Sequence, residues 1–292
     1  MQKFTSINQM KSYMKKEAKR LNMSVSSVYS TFVARCLLKR ISKYNLEDIL
    51  IKGSSAEIAY LGRVVRAITD IDLASLTSFE SNIELLTNIL EDEFPDQFKF
   101  QLSKEVTTTK TGIHKISLNA NYETLKQNIG IDYQEHYNRL IEPEYRVMPA
   151  IFDGDDLFEV YVPSFEEYLA EKLCIIVESN KEDVLNTRVK DFYDIYQLHG
   201  GRYNPDKLTE YFKKMIELRG KVSFSQIKTL NLNEEFVHKH ATVWDSTKKH
   251  YDFIDQEIDL AGAVYYTRAV IREQLQKNGK EMEDNISYQY KR

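Results

Sequence analysis

The chain has 292 residues, 42% of them hydrophobic and 29% charged, which is enough to bury a substantial core in one large domain or two smaller ones. The formal net charge of −4 gives no sign that the protein as a whole binds nucleic acid. Residues 1–20 are polar and lysine-rich, unlike a secretion signal, and no apolar run approaches the roughly 20 residues that span a bilayer. We therefore expect a cytoplasmic protein with no membrane partner.

A basic helical pair is predicted over residues 1–45. Apolar residues recur at helical spacing from Ile7 to Ala18 and again from Val25 to Ile41, and Ser24 is placed to cap the second helix. The first 44 residues carry ten basic side chains and a single acid, for a net charge of +9. This charge is interpreted either as a solvated lysine face or as an electrostatic footprint for a polyanion.

A strand, a tight turn and a helix are predicted where Gly53, Ser54 and Ser55 separate the apolar stretch 48–52 from the helical stretch 56–61. Glycine at such a turn lets backbone N–H groups approach a phosphate, and the helix N-terminus adds a favourable dipole. Many Gly-Ser pairs are plain turns, so the motif gains weight only from the residues that follow it.

Two aspartates follow at the end of the next predicted strand, Val64 to Leu73. In an extended strand Asp70 and Asp72 point to one face, while Ile71 and Leu73 point to the other. A Mg²⁺ ion that bridges triphosphate oxygens takes a few carboxylates together with the phosphates. Two isolated aspartates in this pattern would indicate an exposed strand end. Two aspartates soon after a Gly-Ser turn instead predict a site for a metal ion and a triphosphate.

A third carboxylate, Asp132, lies on the polar face of the strand predicted over 128–134. It can complete a site in which two acids hold the metals and the third helps to deprotonate the attacking hydroxyl. The alternative is a polar residue on the outer face of an edge strand. We predict metal ligation by Asp70, Asp72 and Asp132, a two-metal Mg²⁺ site, and an NTP as substrate.

The chain is predicted to be mostly helical from residue 165 onward, and we place the domain boundary there. The helical stretches are 165–178, 187–198, 205–219 and a long final one over 232–276. On the helix predicted over 165–178, Lys172 projects from the apolar side rather than the charged side. Lysine is rarely buried without a partner. Lys172 therefore either extends past the edge of the core or reaches toward a triphosphate.

The stretch from 188 to 194 alternates basic and acidic residues. Arg188 can pair with Asp191, and Lys190 with Asp194, so a salt-bridged surface is one interpretation. Asp191 also shares a face with apolar residues, which indicates a carboxylate at the core boundary that needs a cation. Lys172 is one candidate for that cation.

Four motifs together resemble those of a known family. They are LIKGSS at 50–55, RAITDIDL at 66–73, AEKL at 170–173 and RVKDFYD at 188–194. In this order and spacing they closely resemble the AbiEii/AbiGii family of bacterial abortive-infection toxins, which are nucleotidyltransferases. The similarity extends through the N-terminal helices and to Trp244, and so covers most of the chain.

This resemblance implies an α+β protein with two domains. Residues 1–164 would form a polymerase-beta-like nucleotidyltransferase domain, with a small mixed sheet and helices, and residues 165–292 a mostly helical domain, with a cleft between the two. The resemblance also implies a toxin that is paired with a separately encoded antitoxin in phage defence or growth control. Related toxins add nucleotides to the acceptor end of tRNA, which blocks translation.

Roles for individual residues follow from the same resemblance. Gly53 and Ser54 would cradle the triphosphate, Asp70 and Asp72 would hold Mg²⁺, and Lys172 would contact phosphates. Asp191 would be the essential acid of the last motif. We expect Ser55, Arg188 and Lys190 to add nucleotide contacts.

Two departures from the family pattern stand out. The usual second glycine is replaced by Ser54, which still matches the Gly-Ser signature of the wider superfamily. The threonine usually found two residues before the first aspartate is Ile68, with Thr69 shifted by one. The second departure leaves the role of Thr69 open.

Three functions are compatible with these residues. The leading one is Mg²⁺-dependent transfer of a nucleoside monophosphate from an NTP to an RNA hydroxyl, with the basic segment helping to hold tRNA. A second keeps the site but changes the acceptor to a protein side chain or a small molecule. The third is a non-catalytic NTP-binding interaction module, for which paired acids beside a phosphate loop would have no purpose.

Overall fold

The computed structural model describes residues 3–44, 48–137, 143–180, 185, 188–228, 230–250 and 254–289. The chain divides into two compact units, Met1–Pro163 and Ser164–Arg292. The first unit combines helices with a mixed sheet, and the described elements of the second are all helices. The predicted α+β fold class is confirmed.

The first unit begins with two helices and continues with strands and two further helices. Its elements are α1 (Ile7–Leu21), α2 (Val25–Lys43), β1 (Ile49–Ile51), α3 (Gly53–Leu61), β2 (Asp70–Ser75), α4 (Phe79–Glu91), β3 (Lys99–Leu102), β4 (Thr107–Thr108), β5 (Ile113–Tyr122), β6 (Leu125–Gln134), β7 (Glu144–Met148) and β8 (Phe158–Val162).

The predicted helical pair is present, and its second helix is an internal element. Ser24 caps α2 by accepting a hydrogen bond from the backbone N–H of Ser27, as the sequence predicts. From Val28 to Ile41 almost every residue of α2 is buried, because the helix packs against α1, α4, β6 and β8. The burial of α2 explains why its apolar residues are not confined to one stripe.

Five of the ten basic residues in the first 44 form ion pairs with described residues of this unit. The pairs are Lys16–Asp153, Arg20–Glu17, Arg35–Asp155, Lys39–Asp156 and Arg40–Asp96. Arg35 and Arg40 lie in the core, where their charges are neutralised by paired aspartates and are not offered to a ligand. The basic footprint considered from the sequence is therefore smaller than +9, and Lys11, Lys15 and Lys19 remain as an exposed stripe on α1.

The main sheet has the strand order β1-β2-β6-β5-β3, and β4 also pairs with β5. Of the described strand pairs in this sheet, β2 and β6 run parallel and the others antiparallel. β7 and β8 form a separate antiparallel pair. The strand that carries two of the predicted site residues, β2, is thus flanked on both sides and held at a fixed register.

The strand predicted over Val64 to Leu73 begins later than expected, at Asp70. The backbone of Ile68 is bonded to side chains of α2 instead of to a neighbouring strand. Its N–H donates to Thr31 Oγ1 at 3.1 Å, and its carbonyl accepts from Ser30 Oγ at 2.5 Å. These bonds satisfy the backbone outside the sheet and place the start of β2 directly at the first aspartate.

The second unit is built from helices over its described residues. They are α5 (Phe165–Ser179), α6 (Val189–Gln197), α7 (Pro205–Arg219), α8 (Phe224–Lys228), α9 (Glu234–His250) and α10 (Leu260–Gln289). α5 packs against α6 and α7, and α10 packs against α6, α7 and α9. Thr187, where the sequence predicted the start of α6, lies outside the described residues.

The long final helical stretch predicted from Leu232 to Gln276 contains two helices, α9 and α10. Asp259 accepts a hydrogen bond from the backbone N–H of Gly262 at 2.6 Å, which starts a new helix at this point. None of the described helices has the length and apolar character needed to cross a membrane. Cys36 and Cys174 are buried and not joined to each other, and burial raises the pKa of both thiols.

Candidate active site

Gly53 occupies a position that only glycine can fill. Its φ of +56° lies in the left-handed region, which side chains disfavour. A Cβ added there would lie 2.8 Å from Asp72 Cγ and closer still to Asp72 Oδ2. The backbone N–H of Lys52 also donates to the carbonyl of Asp72 at 2.8 Å. The turn before α3 and the second aspartate of β2 are therefore packed directly against each other.

The two aspartates of β2 share one face of the strand, as the sequence predicts. Asp70 and Asp72 are half-buried, whereas Ile71 and Leu73 on the other face are buried in the core. Thr69 Oγ1 donates to Asp70 Oδ1 at 3.0 Å. The threonine whose role was open from the sequence thus orients the first aspartate.

A row of charged residues crosses the sheet at the level of Asp72. Asp72 is the register partner of Asp132 on the parallel strand β6, and Asp132 is the register partner of Lys115 on β5. Alternation places these three side chains on one face of the sheet. The Asp132 carboxylate forms an ion pair with the Lys115 ammonium. Asp132, the third predicted carboxylate, therefore lies beside Asp72 and is ion-paired with Lys115.

The two serines after Gly53 lie at the start of α3 with their side chains buried. Ser54 and Ser55 are each 1% exposed. Neither Oγ has a hydrogen-bond partner within the part of the chain that the structure describes. Buried polar atoms without a partner are uncommon and call for an explanation. Two such hydroxyls beside the first-turn N–H groups of a helix fit a role as donors to a bound phosphate.

In the second unit, Lys172 lies between two carboxylates. Its Nζ is 2.7 Å from Asp194 Oδ2 and 3.3 Å from Asp191 Oδ1. Asp191 Oδ2 is in turn 2.7 Å from Arg188 Nε. Lys172, Asp191 and Asp194 are all buried, so these charges are stabilised by one another and not by water.

The pairings predicted within this motif are met in part. Arg188 pairs with Asp191, and Lys172 supplies the cation that Asp191 was expected to need. Asp194, expected to pair with Lys190, accepts from Lys172 instead. Lys190 is half-buried on α6 beside this cluster.

The donors on the sheet are suited to Mg²⁺. Among the described residues, no three His, Cys, Asp or Glu side chains are arranged to enclose a metal ion. Mg²⁺ needs no such enclosure, because it is commonly held by one or two carboxylates plus the phosphates of its substrate. Asp70 and Asp72, on one strand face beside the Gly53 turn, have the chemistry and placement that such a site requires.

Sequence reasoning missed two charged residues of these clusters. Lys115 lies on a strand that was predicted, and alternation marks its polar face, but its pairing with Asp132 depends on the register of β5 against β6. Asp194 was assigned a neighbour on its own helix, because spacing along α6 says nothing about α5. In both cases the pairing depends on tertiary contacts between different elements, which spacing along one element does not reveal.

Comparison with known proteins identifies the family of the chain. Residues 44–285 match the family described as nucleotidyl transferase AbiEii toxin, Type IV TA system. This match includes all four motifs and starts at the end of α2. A search of curated proteins found no match.

Solved structures show the same fold. The chain is similar to JHP933 from Helicobacter pylori, with a TM-score of 0.52 and 13% identity over 91% of this chain and 99% of that one. It is also similar to a protein from H. pylori classed as a nucleotidyltransferase, with a TM-score of 0.50 and 15% identity over 86% of this chain and 96% of that one. Since the family match spans most of the chain and contains the Gly-Ser turn and both aspartates of β2, the protein belongs to the AbiEii family of nucleotidyltransferase toxins of type IV toxin–antitoxin systems.

Proposed function

We propose that this nucleotidyltransferase moves a nucleoside monophosphate from an NTP to an RNA hydroxyl at the 3′ end of tRNA, in a Mg²⁺-dependent reaction. A bond forms between the acceptor oxygen and the α-phosphorus, the bond to the β-phosphate oxygen breaks, and pyrophosphate leaves. The observation that carries the proposal is the packing of Asp72 against Gly53, which would place a metal-bound carboxylate beside a phosphate held at the turn.

Each residue of the first-unit site has a role in this proposal. Asp70 and Asp72 would hold Mg²⁺, which when bound neutralises charge on the triphosphate and makes the α-phosphorus easier to attack. The N–H groups at the start of α3 and the hydroxyls of Ser54 and Ser55 would hold the phosphates. Asp132, beside Asp72, would accept the proton of the attacking hydroxyl.

The second unit contributes the remaining residues of the proposal. Lys172, Arg188 and Lys190 would contact the nucleotide, and Asp191 would be the acid on which this arrangement depends. Their assignment is supported by the order and spacing of the four motifs, all of which fall within the family match. The buried contacts of Lys172 with Asp191 and Asp194 indicate that this ammonium is held in one position.

The choice of tRNA as acceptor is supported by charge on α1. Lys11, Lys15 and Lys19 recur every four residues and are exposed on one side of the helix. Such a stripe fits a phosphate backbone, because lysines gain affinity by releasing its counterions. The proposed reaction takes place in the cytoplasm, where tRNA and NTPs occur together, under control of the antitoxin that the family implies.

The test is to incubate the purified protein with Mg²⁺, each of four radiolabelled NTPs in turn, and total tRNA. We expect label to enter tRNA with one NTP preferred, and Asp72→Asn to lower the rate by about a hundredfold or more, since metal binding supplies several kcal/mol. Asp245→Asn, which makes the same change at an exposed acid on α9, should leave the rate unchanged.

Other results would redirect the proposal. Label in protein or in a small molecule, with none in RNA, would show that the acceptor is wrong while the site is right. Equal labelling by wild type and Asp72→Asn would show that the site itself is wrong.

A further inference from the structure

The third acid of the site is engaged by a neighbouring strand. Asp132 and Lys115 are directly opposite each other on β6 and β5, and their charged groups form an ion pair. Asp132 is also directly opposite Asp72 on β2. The order across the sheet is therefore Asp72, Asp132, Lys115, with the lysine on the far side of the shared acid.

The pair has little structural reason to exist. The side chain of Lys115 is 48% exposed and that of Asp132 is 25% exposed. Ion pairs at this exposure contribute only about 0–1 kcal/mol to folding. The pair lies in the row of charged residues beside the proposed metal ligands, which indicates a role in the site rather than in the stability of the sheet.

A lysine ammonium next to a carboxylate neutralises the negative charge that a metal ion would otherwise neutralise. Three carboxylates on one face would attract two divalent ions, whereas two carboxylates and phosphates suffice for one. We propose that Lys115 is a positioning residue that holds Asp132 out of the metal site, so that the apo site binds one divalent ion through Asp70 and Asp72. The inference rests on the proposed function, of which it specifies the metal content.

Binding of Mn²⁺ alone, without nucleotide, tests this inference. Mn²⁺ has ligand preferences close to those of Mg²⁺ and is followed by electron paramagnetic resonance, which counts bound ions per chain. The variants are Lys115→Gln, Asp132→Asn and the double variant. Lys126→Gln is the matched control, because Lys126 is an exposed lysine on the same face of β6 as Asp132, six residues away along the strand.

We expect one Mn²⁺ ion in the wild type, Asp132→Asn and Lys126→Gln. Lys115→Gln should bind a second ion and hold the first about tenfold more tightly, since a positive charge is removed and a carboxylate is released. The double variant should return to one ion. If loss of the Lys115 charge were enough by itself to recruit a second ion, the double variant would still bind two. A single ion in the double variant therefore shows that the second ion binds through Asp132.

Two results would overturn the inference. One is two ions in the wild type with one lost in Asp132→Asn, which would make Asp132 a ligand already. The other is a single ion in Lys115→Gln. Asp72→Asn tests the proposed function separately. If the proposed metal site is right, this variant loses the first ion whether or not Lys115 holds Asp132.

Discussion

The carboxylate of Asp72 lies against the α-carbon of Gly53, in the space that any side chain at residue 53 would occupy. Two motifs that are 19 positions apart in the sequence therefore form a single structural unit. A phosphate held at the Gly53 turn and a metal held by Asp72 would be neighbours without any rearrangement of the chain.

Gly53→Ala should disturb the alignment of the proposed phosphate-binding turn with the proposed metal-binding carboxylate. The added methyl must push the Asp72 carboxylate aside, and a displacement of about 1 Å at a reacting site can cost about a hundredfold in rate. We expect nucleotidyl transfer to fall by that factor. Stability should fall by only about 1–2 kcal/mol, the cost of a side chain in the left-handed region. Activity assays and urea unfolding of the same preparation measure both.

Gly62→Ala is the matched control for that substitution. Gly62 ends α3 with a φ of +65°, and a Cβ there meets nothing within 4 Å. It should lose a similar amount of stability and keep its activity. Equal losses of activity in the two variants would show that backbone strain, and not the contact with Asp72, explains the effect.

The lysine stripe on α1 should matter for RNA and not for folding. Replacing Lys11, Lys15 and Lys19 together with glutamine should raise the KM for tRNA and flatten its dependence on salt, because fewer counterions are released on binding. The melting temperature should stay unchanged, since all three side chains are exposed. Steady-state kinetics at several salt concentrations provide the measurement.

A triple variant of Lys99, Lys104 and Lys110 controls for overall charge. These lysines are also exposed in the first unit but belong to other segments of the chain than α1. If both triple variants weaken tRNA use to the same extent, net charge is responsible and the stripe has no specific role.

Lys172→Met should strongly destabilise the second unit. It removes the ammonium that lies 2.7 Å from Asp194 and 3.3 Å from Asp191, and both of these acids are buried. Breaking a buried ion pair by removing one partner costs about 3–5 kcal/mol. Urea unfolding at neutral pH should show a loss of this size for Lys172→Met, and a smaller loss when Asp194→Asn is added.

Lys207→Met makes the same change at an exposed residue of α7 and should be nearly neutral. A Lys172→Met protein as stable as this control would contradict the buried arrangement of charges.

Glu178 should make the stability of the second unit depend on pH. Burial alone would raise the pKa of Glu178, but hydrogen bonds and charge from Arg219 and Lys221 outweigh burial and hold that pKa below its ordinary value of 4.5. The stabilisation is therefore complete above that value and is lost as the pH falls through the lower pKa of the folded state. Glu178→Gln should be less stable than wild type at pH 7, and the difference should shrink as the pH is lowered below about 4.5.

The comparison is made by urea unfolding at a series of pH values. Glu210→Gln is the control, because Glu210 forms an exposed pair with Lys214 on α7 that contributes little to stability. A difference between wild type and Glu178→Gln that stays constant down to pH 3 would rule out the proposed contribution of the carboxylate.

Local sequence patterns predicted those parts of the fold that local interactions determine. The Ser24 cap and the apolar spacing of α2 are local, and the helix begins at Val25 as expected. The start of β2 could not be predicted in this way, because Ile68 is bonded to Thr31 and Ser30 from α2. The short strands β3, β4, β7 and β8 carry too few residues for a periodic pattern, and they form through pairing with partners elsewhere in the unit.

The site follows the same division. The sharing of one face by Asp70 and Asp72 follows from alternation along a single strand. That Asp132 lies next to Asp72, and Lys115 next to Asp132, depends on which strands pair and at which register. A shift of one residue in either pairing would move these side chains to opposite faces. The ion pair that occupies Asp132 therefore could not be seen from the sequence.

The parallel pairing of β2 with β6 also determines when, during synthesis, Asp72 and Asp132 can come together. β5 and β6 form a local hairpin, but β2 lies about 50 residues earlier in the chain and can pair only after β6 has been synthesised. Long-range pairing of this kind is slow, because the intervening segment must be ordered first. On a ribosome, Asp72 and Asp132 cannot come together until Asp132 has emerged from the exit tunnel. A nascent chain therefore carries the Gly53 turn and the two aspartates of β2 before Asp132 can join them.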